Sequence, residues 1–125
     1  MDRPRIVLAD DYEQYREFCC KLLHPHVEIV AAVSNGQAAI EAAKAHVPDL
    51  VVLDIEMGTT NGFAVARWIK EHMPAIKILF LSMHDEPDYL SEAAAIGAHG
   101  YVMKRNAVTE LLPAVQDLLG GRTHF

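Results

Sequence analysis

Five polar residues each stand directly behind a short apolar run. Asp10 and Asp11 follow Ile6-Val7-Leu8-Ala9, Asp54 follows Leu50-Val51-Val52-Leu53, Ser82 follows Ile78-Leu79-Phe80-Leu81, and Lys104 follows Gly100-Tyr101-Val102-Met103. Gathered at one place, these residues supply three carboxylates, a hydroxyl and an ammonium. Like charges at close range raise each other's pKa and cost stability, so such a group calls for a cation. All-oxygen donors select a hard ion, and an incomplete carboxylate set suits Mg²⁺, which keeps waters and prefers a phosphate partner. A carboxylate beside that ion and Lys104 has the means to attack a phosphoryl group and form an acyl phosphate. The ion and the lysine would then hold the equatorial oxygens in the transition state.

That chemistry requires elements that bring distant residues together. The apolar runs Ile6–Ala9, Val27–Val33, Leu50–Leu53, Ile76–Leu81 and Gly100–Met103 are mostly β-branched and continuous. Strands buried on both faces of a parallel sheet have this pattern. Helical patterns lie between them. The first carries Tyr15, Phe18, Cys19, Leu22 and Leu23 and stops before Pro25. The second follows Ser34-Asn35-Gly36-Gln37, a capping-box pattern with Gln37 reaching back, and carries Ala38, Ala39, Ala42 and Ala43. The third opens near Asn61-Gly62, with Phe63, Ala66, Ile69 and Met73 on its stripe. The fourth opens near Asp85-Glu86-Pro87, with proline tolerated in the first turn, and closes at Gly97. The fifth carries Leu111, Leu112, Val115, Leu118 and Leu119 and ends at Gly120-Gly121. Pro113 favours a start for this helix at Thr109, because an earlier start would place it deeper and kink the helix. Strand and helix alternate five times, a (βα)5 pattern, and right-handed crossovers give an α/β doubly wound sheet. In such sheets ligands bind outside the carboxyl ends of the strands, where Asp10, Asp11, Asp54, Ser82 and Lys104 fall.

The chain has 125 residues, 51% of them hydrophobic, which fits one domain and excludes intrinsic disorder. Its apolar runs of four or five residues are far short of the roughly twenty that cross a membrane, and the N-terminus lacks a signal-peptide pattern. A net charge of −6 argues against gripping nucleic acid by this surface. Cys19 and Cys20 are adjacent and make no disulfide framework, so a reducing, cytoplasmic setting is expected. The seven histidines fall on different elements without ligand spacing. Each singled-out residue also has a plainer account. Asp11 would cap the first helix with Gln14, Asp54 would bond loop amides, Ser82 would be a turn residue, Tyr101 a strand aromatic and Lys104 a solvated loop residue. The weight lies in the joint pattern.

From about Arg5 to Gly121 that pattern resembles the receiver domain of bacterial two-component response regulators. The resemblance is carried by Asp10-Asp11, Asp54, Ser82, Tyr101 and Lys104 behind their apolar runs. It implies a flavodoxin-like five-stranded sheet in the order 2-1-3-4-5. It also implies that Asp54 is the phosphoacceptor, that Asp11, Asp54 and the Glu56 backbone carbonyl ligate Mg²⁺, and that Asp10 assists through water. Lys104 and Ser82 would contact the phosphoryl oxygens, and Tyr101 would rotate inward as Ser82 shifts. Such a domain is a switch rather than a turnover enzyme. A sensor histidine kinase would phosphorylate it, and the face built from the fourth helix, fifth strand and fifth helix would then drive homodimerisation or an output domain. Leu81-Ser82-Met83-His84-Asp85 and the Gly120–Phe125 tail look like the NarL/LuxR branch, whose members carry a DNA-binding helix-turn-helix domain. Residues 1–121 are thus expected to form the receiver and 122–125 to begin a linker, in a chain either excised or stand-alone.

Three departures stand out. Gly58 replaces the usual proline after Met57, which predicts a looser loop. Arg105 replaces the usual proline after Lys104, so a cis bond there would cost several kcal/mol more than at proline. Met83 is bulky where small residues are common and would slow access to Asp54. Glu56 and His84 flank the site and are expected to tune the phosphoryl lifetime. Two other classes compete. A haloacid-dehalogenase-type phosphatase would want an aspartate two residues after the nucleophile, where Glu56 stands. A binding module would be either a flavodoxin, which would want a phosphate-cradling loop where Asp10-Asp11 stand and repel a phosphate, or a degenerate receiver, which would have lost a site residue where none is missing.

Overall fold

The computed structural model describes residues 3–125. The chain runs β1 (Arg5–Ala9), α1 (Glu13–Leu23), β2 (Glu28–Val33), α2 (Gly36–His46), β3 (Leu50–Leu53), β4 (Glu56–Met57) and β5 (Thr60–Asn61). It continues through α3 (Gly62–His72), β6 (Lys77–Ser82), α4 (Pro87–Ile96), β7 (Gly100–Met103), a 3₁₀ turn (Lys104–Asn106) and α5 (Ala107–Leu119). Five strands form one parallel sheet in the order β2-β1-β3-β6-β7, while β4 and β5 make a separate antiparallel pair. With that small hairpin set aside, the order is the expected 2-1-3-4-5.

Period-2 alternation along the strands divides the interior into two layers. Val7, Ala9, Val51, Leu53, Ile78 and Phe80 face α2, α3 and α4. Ile6, Leu8, Leu50, Val52, Leu79, Leu81 and Val102 face α1 and α5, against Cys19, Leu23, Leu111, Val115 and Leu118. The central strands β1, β3 and β6 are buried almost throughout, as continuous apolar runs require. The run at Val27–Val33 is an exception: β2 is an edge strand and only partly buried. Cys19 is buried and Cys20 partly exposed.

Local chemistry departs from expectation at four places. Ser34 does not cap α2 and no capping box forms. Asn35 is the cap, its side chain accepting from the Ala38 amide, and Gln37 bonds Glu41 instead. Asp11 does not cap α1, whose first helical residue follows Tyr12 with no side-chain cap. α5 begins at Ala107 rather than Thr109 and continues through Pro113, because the 3₁₀ turn after β7 already sets helical direction. The loop after Asp54 is a tight hairpin rather than a loose segment. Gly58, at φ +65°, takes the first central position of a two-residue turn between paired Met57 and Thr60, where II′ geometry wants glycine. Among the described residues no peptide bond is cis, which includes Lys104–Arg105. Also among them, no helix is long and apolar enough to cross a membrane.

The tail folds back on the edge of β7. His124 bridges Gly100 in parallel, its amide donating to the His99 carbonyl and its carbonyl accepting from the Tyr101 amide.

Candidate functional site

Parallel pairing puts the ends of β1, β3, β6 and β7 on one margin of the sheet, since Ala9 pairs with Leu53, Leu53 with Phe80 and Ser82 with Met103. The residues next in sequence therefore converge. The Asp54 amide donates to the Ala9 carbonyl at 3.0 Å, which ties its backbone to β1. Carboxylate oxygens of Asp10, Asp11 and Asp54 all lie within 4.8 Å of one another. The Lys104 ammonium enters this group, with Nζ 2.7 Å from Asp10 Oδ2 and 3.2 Å from Asp54 Oδ2. Asp10 and Asp54 are buried, while Asp11 faces solvent.

The electrostatics follow from that crowding. Burial pushes the Asp54 carboxyl above the usual aspartate range; the Asp10 charge adds to the rise and Lys104 opposes it. Burial alone would lower Lys104, but its close contacts with the Asp10 and Asp54 carboxylates outweigh it and hold the ammonium above its ordinary value. One lysine against three acids leaves a net charge of −2. Asp10 Oδ1 accepts from the Tyr12 amide, but buried Oδ2 receives no hydrogen bond of good geometry despite its close ion pair with Lys104. An under-satisfied buried carboxylate oxygen within a cluster of oxygen donors fits a hard divalent cation.

A cleft of about 380 Å³ opens over the group, lined by Asp11, Asp54, Glu56, Gly58, Met83, His84 and Lys104. Met83, one of these lining residues, is itself largely exposed. Ser82 and Tyr101 lie behind this lining. Ser82 is fully buried, its hydroxyl accepting from the His84 amide at 3.0 Å. Tyr101 is also buried and donates to the His84 carbonyl at 2.7 Å. The His84 ring contacts the Glu56 carboxylate and stacks on Tyr89 of α4, with centroids 4.1 Å apart. That Glu56 contact raises the imidazole pKa.

The sequence pattern thus locates Asp10, Asp11, Asp54 and Lys104 at one cleft and Ser82 and Tyr101 just beneath it. It misses Tyr15, assigned above only to an apolar stripe. Tyr15 donates its hydroxyl to the Lys104 carbonyl at 2.9 Å and presents its ring 4.6 Å from Nζ. A hydroxyl among apolar neighbours was the available signal, and helical spacing does not connect residue 15 to residue 104.

Residues 6–116 match the family model described as the response regulator receiver domain. The transcriptional regulatory protein DegU of Brevibacillus brevis is 33% identical over 123 residues, a match spanning 97% of this chain and 52% of DegU. Among solved structures, the signal receiver domain of NarL from Mycobacterium tuberculosis superposes with a TM-score of 0.92 at 34% identity, over 98% of this chain and 100% of that one. A two-component response regulator of the LuxR family from Aurantimonas sp. SI85-9A1 gives 0.93 at 30% identity, over 99% and 90%. The chain spans about half the length of the curated relatives it matches.

Proposed function

Because the chain belongs to the response regulator receiver domain family, we propose that its acidic cleft is a phosphorylation switch with Asp54 as acceptor. A carboxylate oxygen of Asp54 attacks the phosphorus of a phosphohistidine on a sensor histidine kinase. The O–P bond forms as the N–P bond breaks, and the leaving imidazole takes the electron pair and then a proton. Asp10, Asp11 and Asp54, with the Glu56 carbonyl, would hold Mg²⁺, which when bound offsets charge on the phosphoryl oxygens. Lys104 pairs with those oxygens once its contact to Asp54 opens. Ser82 would turn its hydroxyl from the His84 amide toward the phosphoryl group, and Tyr101 would follow through the His84 carbonyl.

The observation that carries this reading is the Lys104 ammonium bridging two buried carboxylates at the strand ends. The phosphatase class gains less support, since Glu56 pairs with His84 rather than standing free as an acid/base. We extend the proposal to the whole protein by analogy with its longer relatives. Phosphorylation would alter the face of α4, β7 and α5, promote homodimerisation and control a DNA-binding helix-turn-helix output, and thereby transcription, in the cytoplasm. Glu56 and His84 would set the lifetime of the acyl phosphate.

The test is labelling by acetyl phosphate with Mg²⁺, followed by intact-mass measurement. The wild type should gain one phosphoryl group and Asp54→Asn none. Labelling of the Asp54→Asn protein at the wild-type rate would overturn the assignment.

A further inference from the structure

We infer that Tyr15 is a positioning residue for Lys104, holding the lysine main chain with its hydroxyl and the ammonium with its ring. The inference rests on the phosphoryl-transfer reading of the cleft. Lys104 is the first residue after β7 and starts a 3₁₀ turn that has no side-chain cap. A long lysine side chain in that position would extend its charge into water. Here the side chain is only 13% exposed and Nζ points inward between Asp10 and Asp54.

Two separate contacts from one residue account for that placement. The Tyr15 hydroxyl donates to the Lys104 carbonyl at 2.9 Å, which fixes where the side chain departs from the backbone. The Tyr15 ring lies 4.6 Å from Nζ, within the range where an aromatic face attracts an ammonium. Tyr15 is itself supported by Phe18, whose ring centroid is 5.5 Å away at a tilted angle. Burial raises the phenol pKa, so the hydroxyl keeps its proton and remains a donor. Tyr15 lies on α1, far in sequence from the strand ends that supply Asp54 and Lys104. A residue serving only to fill space between α1 and α5 would need neither the hydroxyl bond nor the ring-to-ammonium contact.

The experiment compares wild type, Tyr15→Phe and Tyr15→Leu in the full chain. Two measurements are made: the ring-current shift of the Lys104 ε protons by NMR, and the rate of Asp54 labelling by acetyl phosphate with Mg²⁺. In the wild type the Lys104 signals should lie upfield of exposed lysines. Tyr15→Leu should lose that shift and react about three- to tenfold more slowly. Tyr15→Phe retains the ring and should keep the shift, with an intermediate rate. It also packs like the parent, so the comparison survives if the leucine variant folds poorly. Unshifted Lys104 signals in the wild type, or a folded leucine variant labelling at the wild-type rate, would overturn the inference. Failure of the phosphoryl reading looks different: the wild type would not label, while the ring-current shift would still decide whether Tyr15 holds Lys104.

Discussion

Asp54 illustrates a residue whose chemistry and whose contribution to folding oppose each other. Its folded pKa is raised, first by burial and then by Asp10, so the folded state binds its proton more tightly than the unfolded chain does. Stability from this group is therefore present below the ordinary aspartate pKa and lost as pH rises through the folded value. At neutral pH without metal, ionised Asp54 costs stability, and Asp54→Asn should melt at a higher temperature than the wild type. The difference should close as pH falls into the carboxylate range, and thermal melts across pH check it. Magnesium should reverse the ranking in part. A ligand that binds only the folded state at ten times its dissociation constant adds about 1.4 kcal/mol. That gain should appear in wild-type melts and be smaller in Asp54→Asn. The residue scale was the most legible one. Acids, hydroxyl and ammonium behind apolar runs mark the cleft in the sequence itself, whereas Tyr15 is hidden there because its contact with Lys104 spans 89 positions.

At the scale of elements, the loop after Asp54 is shaped by glycine at two places for two reasons. Gly58 provides the positive φ of the β4–β5 turn. Gly62 provides space: a Cβ there would lie 2.1 Å from the Asp54 carbonyl oxygen and 2.9 Å from Ile55 Cα. Those contacts are backbone and cannot rotate away. Gly62→Ala should therefore destabilise the fold by about 1–3 kcal/mol in urea unfolding and slow Asp54 labelling, since the displaced backbone is that of Asp54 itself. A glycine at the start of a helical pattern reads from sequence as an ordinary helix opening. Only the approach of α3 to the end of β3 shows why the side chain must be absent. Pro113 and Asn35 teach the same lesson about boundaries. The 3₁₀ turn and the true cap of α2 arise from how the chain leaves a strand, which local propensity does not encode.

For the whole molecule, the tail gives the sheet a further partner at its β7 edge. His124 is fixed by the Asp117 carboxylate at 2.9 Å and lies 3.6 Å from Glu110, while Arg122 also pairs with Asp117. The hydrogen bond from His124, with that from Arg122, holds the Asp117 carboxyl below the usual aspartate range. A lowered folded pKa means stability present above the unfolded value and lost as pH falls through the folded one. Asp117→Asn should thus melt below the wild type at neutral pH, with the gap vanishing in acid. Removal of residues 122–125 should speed hydrogen exchange at the Tyr101 amide, which donates to the His124 carbonyl. Unchanged exchange would show that the tail does not hold that edge. The sequence by itself determined the alternation of strands and helices, the parallel sheet and the residues behind each strand, because burial on both faces writes itself into continuous apolar runs. Tertiary structure alone decided the ion-pair geometry of Lys104, the aromatic support beneath it, the hairpin after Asp54 and the docking of the tail. Those features depend on distances between segments far apart in the chain, and local patterns of hydropathy and propensity carry no such distances.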